Sequence, residues 1–210
     1  MIRLKNLSST RYLAHRVINH FLADSMNGKV FGTVVDVGAG SSPYRKFIVC
    51  DRYVYLDIEN RTGRPEIIIS DLNQKIMLKD GFADCVVCTE VLEHIKKPQN
   101  AVNEVYRILK PGGMLVLTTP MVWPLHEAPN DFYRYTQYGL EGLLKEAGFS
   151  DISIRPSNGY IYSLIQLSVI NLRNPFWKPL VLVFNICAIL FERYDRNFEM
   201  SIVNQVVAIK

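Results

Sequence analysis

The chain has 210 residues, enough for one well-buried α/β domain and too few for two ordinary ones. Its 24 basic and 20 acidic residues leave a net charge of +4, and the Lys and Arg are scattered, so no nucleic-acid footprint is expected. Met1 to Lys5 runs into polar residues rather than an apolar leader, which places the expected location in the cytoplasm.

Ser8 or Ser9 is placed to cap a first helix, with Leu13, Val17, Phe21 and Leu22 at helical spacing and an end near Asn27-Gly28. This makes residues 1–30 an N-terminal helical segment. A first strand near Thr33 to Val37 breaks into Asp36-Val37-Gly38-Ala39-Gly40-Ser41-Ser42. A helix is expected from Ser42, with Ser41 or Ser42 as its cap. Such a strand, glycine turn and helix bring backbone against a nucleotide-like ligand. Pro43 stands where a dinucleotide fingerprint needs a third glycine, which favours a ligand without a diphosphate.

Tyr53 to Leu56 reads as a second strand ending at Asp57, where a carboxylate can accept both hydroxyls of a ribose. Strands near Glu66 to Ile69 and Asp84 to Cys88 follow. Cys85 and Cys88 form a C-x-x-C, but the pair lies inside an apolar strand, where positions three apart face opposite sides, so buried reduced thiols are expected. A helix from Pro98 carries Ala101, Val102, Val105, Ile108 and Leu109 on one face and stops at Pro111-Gly112-Gly113. Met114 to Leu117 is a fifth strand, and a helix capped by Thr136 closes at Gly148. Ile152 and Ile154 mark a sixth strand and Ile202 to Ile209 a last one.

Between those two strands residues 159–195 form an inserted apolar hairpin. Its two apolar runs are ten to twelve residues long and flank Arg173, Phe176, Trp177 and Lys178, too short for a spanning helix, which takes about 20 residues. The pair is read as a lid or a dimer contact packed on the sheet, the alternative being a peripheral membrane contact.

The ordered series Val34 to Gly40, Asp57, Ser70-Asp71-Leu72, Phe82 to Ile95 and Leu109 to Leu115 resembles the class I S-adenosylmethionine-dependent methyltransferases, in particular the small-molecule group with a type 11-like domain. The likeness covers Val34 to Phe149. It implies an α/β, doubly wound, Rossmann-like sheet of seven mainly parallel strands, helices on both faces, a helical insertion before the last strand, and that last strand antiparallel between the fifth and sixth. It also implies S-adenosyl-L-methionine as cofactor. Asp36, Gly38, Ala39 and Gly40 would line its methionine part, Asp57 would hold its ribose, Asp71 and Leu72 would meet its adenine, and Thr89, Glu90 and Val91 would lie under its sulfonium, with Ile58 a further cofactor-binding residue. Where many relatives carry another glycine this chain has Ser42.

The loop from Thr118 to Tyr135, dense in His, Asp, Tyr, Arg and Pro, follows the fifth strand, where open α/β sheets bind ligands. His126 is the candidate general base. Asp131 could orient it or bind a substrate hydroxyl, and Tyr133 and Arg134 could grip the acceptor, although these residues could equally pin the loop, Arg134 through Glu127. His94 belongs to the family's fourth-strand motif, which argues for a shared structural role. His15 and His20 lie five apart on the first helix, so no metal cluster is expected. The expected function is methyl transfer to a small-molecule or lipid-linked acceptor. Cell-surface glycan biosynthesis, quinone or other lipid biosynthesis and a non-catalytic cofactor-binding module are the readings to separate.

Overall fold

The computed structural model describes residues 7–210. Seven strands form one sheet: β1 Val30–Val37, β2 Val49–Asp57, β3 Ile67–Ile69, β4 Ala83–Thr89, β5 Leu109–Pro120, β6 Ser150–Pro156 and β7 Val203–Ile209, in the order β3-β2-β1-β4-β5-β7-β6. The first five pair in parallel, and β7 lies antiparallel between β5 and β6, as the resemblance implied.

The central strands read as nearly continuous apolar runs because both faces are covered. Val35, Val86, Cys88, Leu115 and Leu117 face one core with α2 (Pro98–Ile108) and α3 (Gln137–Ala147), while Val34, Cys85, Val87, Met114 and Val116 face the other with α1 (Tyr12–Met26). Cys85 and Cys88 therefore belong to opposite cores, and both are free thiols whose ionisation is pushed up by burial. The Thr136 hydroxyl caps α3 by accepting from Gly139 N at 3.1 Å, and Gly148 ends it in the left-handed conformation at φ 101°.

Several local expectations need correction. No α-helix follows Ser42. Only residues 38–48 join β1 to β2, short for a parallel crossover, and they hold a single 3-10 turn at Arg45–Phe47. Ser42 has φ 49°, and its hydroxyl donates to Asp36 instead of capping a helix. The helix expected after Ser8 or Ser9 begins at Tyr12 with Arg11 at its N-cap, so Ser9 does not cap it directly; its hydroxyl accepts from Arg11 N at 3.3 Å, and residues 1–6 of the expected N-terminal segment lie outside the described residues. Leu109 leaves helical geometry and begins β5, with Pro111-Gly112-Gly113 inside an irregularity of that strand.

In the insertion, α4 (Tyr160–Val169) and α5 (Lys178–Phe191) pack against each other and on α1. The buried Asn185 donates to the carbonyls of Leu7 and Ser9 at 2.6 and 3.0 Å, Gln166 donates to Thr10 O at 2.7 Å, and Arg16 meets Glu192 at 2.9 Å. Turns extend α5 at both ends into a 20-residue helical stretch, Pro175–Tyr194, long and apolar enough to cross a membrane by length and composition alone. That exceeds the ten to twelve residues read from the apolar run, because the aromatic break before it and the polar turn after it are helical as well. Only 17% of its most apolar window is buried.

Candidate active site

The chain leaves β1 toward β2 and β3 on one side and returns through β4 and β5 on the other. The direction of winding thus reverses between the paired ends of β1 and β4, and the crevice beyond those carboxyl ends is where open α/β sheets place ligands. A separate cleft of about 350 Å³, lined by Arg16, His20, Arg155 and Gln205 among others, lies beside α1, away from these strand ends.

Gly38, at φ 67°, closes the loop directly onto Val91, whose Cγ2 would stand 2.3 Å from an added Cβ. Gly40, at φ 49°, has open space where its Cβ would be. Backbone ties hold the loop against the end of β2: Ala39 N donates to Leu56 O at 2.9 Å and Gly40 N to Asp57 Oδ2 at 2.7 Å. Asp36 is buried at 3% exposure and accepts from Ser42 Oγ at 2.7 Å and Tyr53 OH at 2.8 Å. Burial pushes its pKa up to about 6. Gly38→Ala combines a clash with an unfavourable φ. It is expected to cost about 1–3 kcal/mol in a thermal melt, with part recovered by pairing it with Val91→Ala, whose side chain vacates the contact. A melt matching the parent's would break this account of the loop.

Asp57 is half-buried, with Oδ2 on Gly40 N, and Ile58 beside it is 61% exposed. Asp71 closes its own turn, its Oδ1 accepting from Asn73 N and Nδ2 at 2.9 Å each, while Leu72 is buried. Thr89 ends β4. Glu90 follows with φ 54°, its N donating to Thr118 O at 3.0 Å and its Oε1 buried without a partner. Burial pushes the Glu90 pKa up to about 7.

The loop after β5 docks on the segment after β4. Phe132 N and Tyr133 N donate to Glu93 O at 2.9 and 3.3 Å, and Tyr135 OH donates to Leu92 O at 3.1 Å. Asp131 fastens the loop internally, accepting from Arg134 Nη1 and Nη2 at 2.6 and 2.7 Å and from His126 N and Nδ1 at 2.9 and 3.1 Å. The Arg134 guanidinium holds Asp131 well below the usual carboxylate range. Arg134 also donates through Nε to Trp123 O, through Nη2 to Pro124 O and through Nη1 to Tyr133 O. All five of its N–H groups are thereby engaged, so Arg134 has no donor left for an acceptor molecule, and its carboxylate partner is Asp131 rather than Glu127. Tyr133 donates to Lys96 O at 3.1 Å and stacks on Tyr135.

Sequence spacing missed Glu93. It is fully buried, neither carboxylate oxygen has a hydrogen-bond partner, and burial pushes its pKa up to about 9. His94 Nε2 lies 3.6 Å from its Oε1 and His126 Nε2 3.9 Å from the same atom, with the two imidazoles edge to face at 4.8 Å. The spacing of the histidines along the chain predicts no metal cluster, yet the fold brings three side chains with ligand atoms together. These three residues bring one ligand atom each within 4.8 Å of one another, a set assembled by docking the loop after β5 and not by spacing along one element.

Residues 35–117 match a family described as a methyltransferase domain. Over 198 residues the chain is 26% identical to the ubiquinone/menaquinone biosynthesis C-methyltransferase of Vibrio campbellii, covering 71% of this chain and 76% of that protein. Among solved structures, a SAM-dependent methyltransferase from Archaeoglobus fulgidus superposes with TM-score 0.61 at 17% identity, covering 96% of this chain and 95% of the other. Haemonchus contortus phosphoethanolamine N-methyltransferase 2, in complex with S-adenosyl-L-methionine, superposes with TM-score 0.61 at 16% identity, over all of this chain and 60% of the other.

Proposed function

Because the chain belongs to the class I S-adenosylmethionine-dependent methyltransferases, we propose that it methylates a lipid-linked acceptor, such as a membrane-anchored glycan precursor, while resting on the membrane surface from the cytoplasmic side. The observation that carries this is the outer face of the insertion. Phe176, Val183, Leu190 and Phe191 are more than half exposed there, with Trp177 and Leu180 beside them and Arg173, Lys178 and Arg193 nearby. A contiguous exposed apolar surface bordered by cations suits the boundary between acyl chains and anionic headgroups.

The residues fit the cofactor. Gly40 leaves open space where a side chain would stand, Asp57 offers a partly exposed carboxylate at the end of β2, and Ile58 presents uncovered apolar surface next to it. Asp36, through Ser42 and Tyr53, would keep the Gly38-Ala39-Gly40 loop in shape. Asp57 would accept the ribose hydroxyls, Ile58, Asp71 and Leu72 would flank the adenine, and Thr89, Glu90 and Val91 would lie under the sulfonium. Bound there, S-adenosyl-L-methionine supplies an electrophilic methyl group. In-line displacement then requires the acceptor atom to be held about 3–3.5 Å from that methyl with water excluded. His126 is the candidate for taking the acceptor's proton. Asp131 lies nearer His126 Nδ1, at 3.1 Å, than does Arg134 Nη2, at 3.4 Å, which favours the hydrogen on Nδ1 and the lone pair on Nε2, and burial lowers the imidazole's pKa.

A quinone-type acceptor is the second reading, favoured by the Vibrio relatives, which serve ubiquinone/menaquinone biosynthesis. Labelled S-adenosylmethionine incubated with total lipid extract, followed by identification of the methylated product, separates the two acceptors.

Vesicle flotation tests the membrane contact. The protein should float with vesicles containing anionic lipid, less so as salt rises, and Phe176→Ser/Leu190→Ser should reduce partitioning at least tenfold, since each large apolar side chain contributes about 1.5–3 kcal/mol when fully buried. A folded protein that stays with the soluble fraction at low salt would rule the contact out. A homodimer burying the same face would instead appear in sedimentation and dissociate in that variant.

A further inference from the structure

We propose that Glu93, His94 and His126 form a binding site for a divalent first-row transition ion, with Glu93 Oε1, His94 Nε2 and His126 Nε2 as its protein ligands. The position beside the methyl acceptor rests on the methyltransferase reading; ion binding itself does not.

Four observations converge on these atoms. Glu93 is 0% exposed and both of its oxygens lack a hydrogen-bond partner, an arrangement that costs free energy unless a cation or proton completes it. The two Nε2 atoms stand 3.6 and 3.9 Å from Oε1, and ligands at about 2.1 Å from a tetrahedral ion are themselves about 3.4 Å apart, so small rotations close the site. Both imidazoles are set in the ligating tautomer. His94 Nδ1 meets the carbonyl of Asn130, and His126 Nδ1 lies nearer the Asp131 carboxylate, at 3.1 Å, than Arg134 Nη2, at 3.4 Å, which favours the hydrogen on each Nδ1 and the lone pair on each Nε2. A carboxylate or carbonyl behind a ligating histidine is the usual way its ring is oriented and its basicity raised. The imidazoles are also partly open, with side chains 17% and 26% exposed, so an ion has a path in although the carboxylate does not face solvent.

Two imidazoles and one carboxylate suit zinc, cobalt or iron better than calcium or magnesium, which prefer all-oxygen shells. Three protein ligands leave at least one coordination position vacant, the arrangement of catalytic rather than structural sites. An acceptor hydroxyl bound there would lose its proton near neutral pH, as metal-bound water does. His126 Nε2 would then serve as a ligand, and the ion would do the work of the base.

The test is calorimetric titration of chelator-treated protein with Zn²⁺, with Co²⁺ as a spectroscopic probe for visible d–d bands. One ion per chain is expected. His94→Ala and His126→Ala should each weaken Zn²⁺ binding at least tenfold, and Asp131→Asn, acting through the ring behind the ligand, by about 10–100-fold. His15→Ala, on α1, serves as the control and should bind as the parent does. Thermal melts and S-adenosylmethionine titrations on the same samples establish that each variant is folded. Absence of stoichiometric binding at millimolar Zn²⁺, or equal binding by folded variants and parent, overturns the site and leaves Glu93 as a buried protonated carboxyl. Loss of S-adenosylmethionine binding by the parent would count against the methyltransferase reading alone.

Discussion

Asp57→Ala is expected to lower S-adenosylmethionine affinity at least tenfold in a protein that stays folded. A carboxylate accepting from ribose hydroxyls makes charge-assisted hydrogen bonds worth about 1.5–3 kcal/mol each. Removing one such bond corresponds to roughly ten- to hundredfold in affinity. The structure adds a second route to the same outcome, since Asp57 Oδ2 also holds Gly40 N at 2.7 Å and so fixes the turn against the end of β2. Asp57→Asn separates the two effects: its amide oxygen can still accept from Gly40 N, but the charge facing the ribose is gone. Calorimetry should rank the parent above Asn and Asn above Ala. Affinity unchanged in a folded Ala variant would mean that the ribose does not sit at the end of β2.

That carboxylate was legible because it depends on local order. A strand, a glycine turn and a second strand ending in an acid are each written within a few residues, and the parallel register of β1 with β2 brings Val37 beside Leu56 and so the two strand ends together. The alternation of Val34 with Val35 and of Cys85 with Val86 between the two cores follows from the strand period of two, and the Thr136 and Gly148 caps from single-residue chemistry. What escaped was decided by tertiary docking. Ser42 looked like a cap, yet the buried carboxylate of Asp36 claims its hydroxyl. Arg134 looked free to bind an acceptor, yet Asp131 and three carbonyls take every donor it has. Glu93 drew no notice within Val91-Leu92-Glu93-His94, because nothing along the chain tells that the loop from β5 folds back to lay His126 over it.

The same docking makes Asp131→Ala the second large effect, and it should fall on one part of the site. One carboxylate accepts four N–H groups, two from Arg134 and two from His126, within 3.1 Å. Truncation leaves a guanidinium and a backbone amide without their acceptor. Arg134 is about a quarter exposed, so water recovers some of the loss. The remaining cost of about 1–3 kcal/mol should appear as local opening of the loop, with hydrogen exchange of its amides between Met121 and Tyr135 accelerated by roughly 5- to 100-fold. Methyl transfer should fall with it, because the His126 ring loses both its tautomer and its place. S-adenosylmethionine affinity should change little, since the residues assigned to the cofactor come from β1 to β4 and the turns after them, and none from the loop after β5. Asp131→Asn, which keeps an acceptor but not the charge, should fall between parent and Ala in exchange. Exchange in the Ala variant equal to the parent's would show that the loop is held by its docking on Glu93 and Leu92 alone, and that Asp131 does not set the position of His126.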